Sequence, residues 1–206
     1  MTTQRSSTPR VSPPSGGVDG NERLTALVAV VLLLLLFLVG LTVPVANVQT
    51  RLHVFFGVVV IPPVLLKVAS TSWRMLKYYA GSFPYRRKGP PLPLLRLLGP
   101  ILVVLTLVLL LSGVGLVIGA PRSMRLELSQ IHRASFLLWF MVTAVHVLAH
   151  LKETASVAPR DFLRGTRRRV RGSALRAWTT LASVAVGIVC GWAILPYVSS
   201  VTIFNH

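Results

Sequence analysis

Four histidines lie within apolar stretches of this chain, where ionisable side chains are costly and are usually retained for function. His53 opens the second apolar stretch, whereas His132, His146 and His150 lie in the fourth. On a helix, His132 and His146 would be roughly 21 Å apart along the axis and about 40° from the same face. Neutral imidazole is a common metal ligand. Two imidazoles so placed could each bind a haem iron, one near each side of a membrane.

Each histidine also has a simpler interpretation. His53 and His132 lie near the ends of their stretches, where head groups could hydrate them. His146 lies deeper and could be a hydrogen-bonded packing residue, while His150, close to Lys152, could be interfacial. A further alternative is that His146 and His150, four residues apart, bind zinc or copper together.

The composition predicts an all-α integral membrane protein. Apolar residues make up 53% of the chain, and the mean hydropathy is +0.68. Five stretches reach the roughly 20 residues that a bilayer requires. Residues 1–22 are expected to form a disordered tail, and residues 23–206 a transmembrane domain. The predicted spans are about 24–45, 53–79, 97–120, 129–152 and 177–199.

A cleaved signal peptide is the alternative for the first span. Its apolar core is longer than the roughly 7–15 residues typical of a signal peptide. We therefore expect the first span to be retained as a helix.

The distribution of basic residues predicts the orientation. The net charge is +17, and segments 1–23, 74–96 and 152–176 hold 17 of the 22 basic residues. These segments alternate with basic-poor connections, which is the positive-inside pattern. The N-terminus is therefore expected in the cytoplasm and the C-terminus outside the plasma membrane. Segment 164–172 is expected to contact anionic lipid head groups, and no nucleic-acid partner is predicted.

The second and fourth spans should run parallel, which brings His53 and His132 to the same depth near the outer face. The sequence therefore predicts that they form an axial pair for one haem. Gly57, one turn after His53, would let a flat macrocycle approach the helix backbone. Arg51 and Arg133, close to the two histidines, could neutralise haem propionates.

The prediction for the inner half of the bundle is less complete. Lys67 follows His53 by 14 residues, the same interval that separates His132 from His146. It either extends to the inner interface or faces a cofactor. An inner haem would require His146 or His150 opposite Lys67, or a histidine from a second subunit in a homodimer.

In these residues the chain resembles the bacterial membrane cytochrome b superfamily. That superfamily includes the cytochrome b561 type and the haem b subunits of formate dehydrogenase-like enzymes. The resemblance rests on His53-x-x-x-Gly57 and on His132-(x13)-His146-x-x-x-His150, and it covers roughly residues 50–200. It implies a haem-binding bundle of four of the five helices, with one haem b and a second if the inner histidines bind. Members of that superfamily usually carry a second histidine on the helix that corresponds to the second span. This chain has no second histidine there, and Lys67 lies near that position.

The resemblance implies an electron-transfer subunit that links the quinone pool to an extracytoplasmic or membrane redox partner. The sequence shows no catalytic constellation, so we expect a non-catalytic subunit of an oxidoreductase complex. All five acidic residues lie outside the apolar stretches, which disfavours transport. The alternative function is a haem-free structural or assembly subunit of a membrane complex.

Overall fold

A computed structural model of the chain describes residues 17–46, 50–87, 89, 93–167 and 170–198. Within these residues, five helices are long and apolar enough to cross a membrane. The chain is therefore an all-α, multi-pass membrane protein, as the sequence predicts. The five long helices are α1 (Gly17–Thr42), α2 (Thr50–Tyr79), α4 (Pro93–Val117), α5 (Arg122–Val157) and α7 (Ser173–Val198). The short helices are α3 (Phe83–Arg87) and α6 (Arg164–Arg167).

All five long helices begin before their predicted spans, and α1 and α5 differ most, each beginning seven residues early. Helix α1 begins at Gly17, so the last six residues of the predicted disordered tail are helical, whereas residues 1–16 lie outside the described part. Asp19 in the first turn favours this extension, because a carboxylate stabilises the positive end of the helix dipole. Helix α5 contains 36 residues. It would therefore be roughly 54 Å long, more than a bilayer core requires.

Glycines with positive φ mark the sharp reversals between helices. Gly119, with φ of 99°, lies between α4 and α5. Few side chains adopt this conformation at low cost, whereas glycine does. The two helices consequently form a tight antiparallel hairpin, fastened within the membrane by a 2.8 Å hydrogen bond from Trp139 Nε1 to Thr106 Oγ1.

The long helices pack as two groups. Helix α2 packs against α7 on one side and α1 on another, while α4 packs against α5. The contact between α2 and α7 is unusually close, because a Cβ added to Gly187 would clash with the carbonyl oxygen of Val59. Helix α1 connects the groups, since it also contacts α5.

A buried ionic cluster joins one end of the bundle. Arg23 of α1 donates from Nη1 to Asp161 Oδ1 over 2.9 Å, and Arg176 of α7 donates from Nη2 to the same oxygen over 2.7 Å. Asp161 closes the 3-10 turn Ala158–Asp161 that follows α5. The side chains of all three residues are at most 8% exposed. This end, where the described residues of the basic segments 74–96 and 152–176 also lie, is termed the basic end.

Candidate functional site

The rings of His53 and His132 face one another between the two helix groups. His53 lies in the first turn of α2, and His132 lies in the third turn of α5. Their ring centroids are 6.4 Å apart, and the ring planes are nearly perpendicular at 88°. Both histidines are partly buried. The structure therefore brings together the two residues that the sequence predicts as a pair.

Thr42 of α1 is the hydrogen-bond partner of His53. Thr42 Oγ1 lies 2.9 Å from His53 Nδ1 and 2.6 Å from the carbonyl oxygen of Val39. With its single proton donated to Val39, the hydroxyl oxygen accepts from Nδ1–H. In that arrangement His53 is the Nδ1–H tautomer, and its Nε2 lone pair is available for a ligand.

His132 is held in the same tautomer by α4. Its Nδ1 lies 3.0 Å from the carbonyl oxygen of Leu109 and 3.2 Å from Ser112 Oγ. A carbonyl oxygen can only accept, so Nδ1 carries the proton here as well. A partner on one imidazole nitrogen sets the tautomer and orients the other nitrogen towards a metal.

The separation of the two rings would allow both to bind one metal ion between them. An imidazole nitrogen lies about 2.0–2.1 Å from a bound zinc ion, and with a similar bond to iron each centroid would lie about 3.2 Å from the metal. Two imidazoles on opposite sides of one ion therefore hold their centroids about 6.3 Å apart. The observed 6.4 Å between His53 and His132 agrees with this distance.

The glycines near the two histidines differ in their surroundings. A Cβ added to Gly57 would meet no described atom within 4 Å, so there is open space beside α2 one turn after His53. In contrast, a Cβ added to Gly113 of α4 would lie 2.9 Å from His132 Cε1. Approach of a flat ligand at Gly57 stays a prediction, whereas Gly113 lets the His132 ring lie against the α4 backbone.

Arg51 and Arg133 are close to the histidines in sequence and are both exposed. Arg51 lies two residues before His53, and Arg133 directly follows His132. Neutralisation of haem propionates by these residues stays a prediction.

The inner histidines form a different arrangement. The ring centroids of His146 and His150 are only 4.8 Å apart, too close for axial ligands of one iron. His150 Nδ1 lies 3.2 Å from Glu153 Oε2. His146 Nδ1 is buried and has no hydrogen-bond partner within the described part of the chain. Joint binding of zinc or copper and binding of an inner haem both stay predictions.

Lys67 is bonded to α1. Its Nζ donates to the carbonyl oxygen of Thr25 over 2.9 Å, and Thr25 Oγ1 in turn lies 3.0 Å from Ser70 Oγ, one turn nearer the basic end than Lys67. Both placements of Lys67, at the inner interface or facing a cofactor, stay predictions. Because its ammonium group carries three protons and no lone pair, charged Lys67 cannot itself ligate iron.

The sequence interpretation missed the residues that hold the two histidines. Thr42 ends α1 and had no motif to identify it, and Leu109 contributes only its backbone carbonyl. The sequence contains a weak indication of a close contact at Ser112 and Gly113, since they belong to a run of small residues in an otherwise aliphatic helix. That run was compatible with simple helix packing, so their contacts with His132 could be identified only from the structure.

Comparisons with family models, curated proteins and solved structures found no match for this chain. Its function is therefore inferred from its own residues.

Proposed function

We propose that this protein is a haem b-binding membrane subunit that transfers electrons, with His53 and His132 as the two axial ligands of one haem. The observation that supports this proposal is the approach of two histidine rings to 6.4 Å, each with a hydrogen-bond partner at Nδ1. An imidazole that binds a metal needs a lone pair on the nitrogen that faces it. A partner for Nδ1–H on each ring leaves Nε2 with that lone pair.

The protein residues would hold the group in defined ways. Thr42 and Leu109 accept the Nδ1 protons, which keeps both Nε2 lone pairs free for iron and raises the basicity of the imidazoles. Gly57 leaves space beside α2. When bound, a haem with two imidazole ligands supplies a low-spin iron that carries one electron.

The setting of the histidines suggests the partners. Both lie at the end of the bundle opposite the basic end. By the positive-inside pattern, this histidine-bearing end faces away from the cytoplasm. We infer that the N-terminus is cytoplasmic in the plasma membrane and that a redox partner docks on the outer side. The membrane-soluble quinone pool would be the second electron carrier.

A visible difference spectrum of the purified protein tests the proposal. We expect the dithionite-reduced minus oxidised spectrum to show a low-spin haem b band, with one haem per chain by pyridine haemochrome. His53→Ala and His132→Ala should each abolish the band. His150→Ala is the matched control and should retain it, because that ring bonds to Glu153 and does not face the outer pair.

The alternative, a haem-free structural or assembly subunit, also has an observation in its favour. Ring centroids 6.4 Å apart with perpendicular planes are within the range of edge-to-face contacts. This alternative predicts no haem band from folded protein expressed with ample haem. In that case, His53→Ala would change only the stability of the bundle.

A further inference from the structure

At the basic end, a cavity of about 340 Å³ opens between the first turns of α1 and α7 and the last part of α2. Its walls combine apolar, aromatic and basic side chains. Aromatic side chains are typical of the head-group level of a membrane. The apolar, aromatic and basic side chains of the walls are Leu24, Trp73, Tyr85, Arg171, Leu175 and Arg176, and Asn21 adds an amide.

The cavity lies against a buried excess of positive charge. Arg23 and Arg176 share one carboxylate, that of Asp161, so the three buried residues together carry one net positive charge. Burying an unpaired charge is costly, and an anion in the adjacent cavity would reduce that cost. Asp19 and Glu22, the acidic residues of α1, do not line the cavity.

Glycines keep the cavity open and bring Arg176 to it. A Cβ added to Gly17 would meet no described atom within 4 Å. At Gly20 and Gly172, an added Cβ would lie 3.4 and 3.5 Å from Arg176 Nη1, so the guanidinium group fits between two glycine backbones. Gly172 has φ of 88°, and Arg176 Nη1 donates to the carbonyl oxygen of Arg171 over 2.8 Å. The Arg171 backbone is thereby fixed, while its side chain is exposed at the cavity.

We propose that this cavity binds the head group of an anionic phospholipid. The phosphate would lie near Arg171 and Arg176, because guanidinium groups match phosphate oxygens in charge and geometry. The glycerol and upper acyl chain would lie along Leu24, Leu175 and Trp73, which continue the apolar surface of the bundle. A free phosphate ion would also lie near Arg171 and Arg176, but it has no acyl chain to contact Leu24, Leu175 and Trp73.

Native mass spectrometry of the delipidated full-length protein tests this site. We expect titration with dioleoyl phosphatidylglycerol to give one tightly bound lipid per chain, and dioleoyl phosphatidylcholine to bind more weakly. Arg171→Gln should weaken phosphatidylglycerol binding about tenfold, since a charge-assisted hydrogen bond is lost. Gly17→Leu should weaken it as well, by filling the cavity without changing its charge.

Arg87→Gln is the matched control, because Arg87 is an exposed arginine of α3 that does not line the cavity. It should leave the affinity unchanged. Equal weakening by Arg171→Gln and Arg87→Gln would overturn the proposal in favour of a diffuse charge effect. Equal binding of the two lipids would overturn it too. Displacement of phosphatidylglycerol by an equal concentration of inorganic phosphate would instead identify a site for free anions.

Discussion

His53 and His132 are each oriented by a helix other than their own. Thr42 of α1 accepts from His53 of α2, and the backbone of Leu109 in α4 accepts from His132 of α5. Four helices therefore converge on one pair of rings, while α7 packs on another part of α2. If haem binds there, its ligands are positioned by helix packing, and small changes in that packing should change the spectrum or the potential.

Replacing Thr42 by valine should raise the midpoint potential of the bound haem. The substitution preserves the shape of the side chain but removes the acceptor for His53 Nδ1–H. The imidazole then becomes a weaker donor to ferric iron. A threefold change in the relative affinity for the two oxidation states corresponds to about 30 mV, which a redox titration resolves.

Thr71→Val is the control for this titration. Thr71 lies exposed on the same helix as His53 and bonds only to the carbonyl oxygen of Lys67 among the hydrogen bonds described. Its replacement should leave the potential unchanged. Identical potentials for wild type and Thr42→Val would contradict the role assigned to Thr42.

Gly113→Ala should weaken haem binding, whereas Gly115→Ala on the same helix should not. The new Cβ at position 113 would lie 2.9 Å from His132 Cε1, so the ring must turn away. A displacement of about 30° from a rotamer costs roughly 0.5–1.5 kcal/mol, which weakens binding about two- to tenfold. At position 115 the nearest atom is Leu128 Cδ1 at 3.6 Å, an ordinary contact. Haem retention per chain during dilution in detergent would measure the difference, and equal retention by the two variants would count against the site.

His146→Ala should leave one haem per chain. The described part of α2 offers Lys67 at that depth, and Lys67 Nζ is engaged with the carbonyl oxygen of Thr25. Pyridine haemochrome quantification of wild type and variant decides this. Two haems in the wild type and one in His146→Ala would show instead that the inner site is filled, with its second ligand supplied by another subunit.

Gly187→Ala should destabilise the bundle independently of any cofactor. The added methyl group would clash with the carbonyl oxygen of Val59, a backbone atom that moves only if α2 and α7 separate. Overpacking of this kind costs roughly 1–3 kcal/mol. We expect a lower melting temperature in detergent. Gly40→Ala is the control, because its Cβ would meet no described atom within 4 Å, and that variant should melt no lower than wild type.

Asp161→Asn should be among the most destabilising single substitutions at the basic end. Asparagine keeps the shape but leaves Arg23 and Arg176 buried without their shared negative charge. Removing one partner of a buried ion pair typically costs about 3–5 kcal/mol. Thermal unfolding monitored by tryptophan fluorescence should show this loss, and Glu127→Gln, at an exposed glutamate of α5, should show little change.

The sequence by itself determined the class of the protein and the depth of its histidines. Span length and hydropathy are local sums over about 20 residues, so they could be evaluated without a structure. The alternation of spans makes α2 and α5 parallel, which already places His53 and His132 at the same end. The first residue of α1 could not be predicted, because residues 17–22 include two glycines and three polar residues. The contacts that hold this end of α1 come from Ser70 of α2 and Arg176 of α7.

Only the tertiary structure decided which side chains meet. The rotation of each helix about its axis is set by contacts between residues distant in sequence, as with Gly187 against Val59. That rotation brings Thr42 to His53, Leu109 to His132 and Lys67 to the carbonyl oxygen of Thr25. A pattern of residue types carries no information about such rotation, because hydropathy is nearly uniform around helices such as α1 and α4. The tautomers of the two histidines, and hence the case for a haem site, follow from that packing.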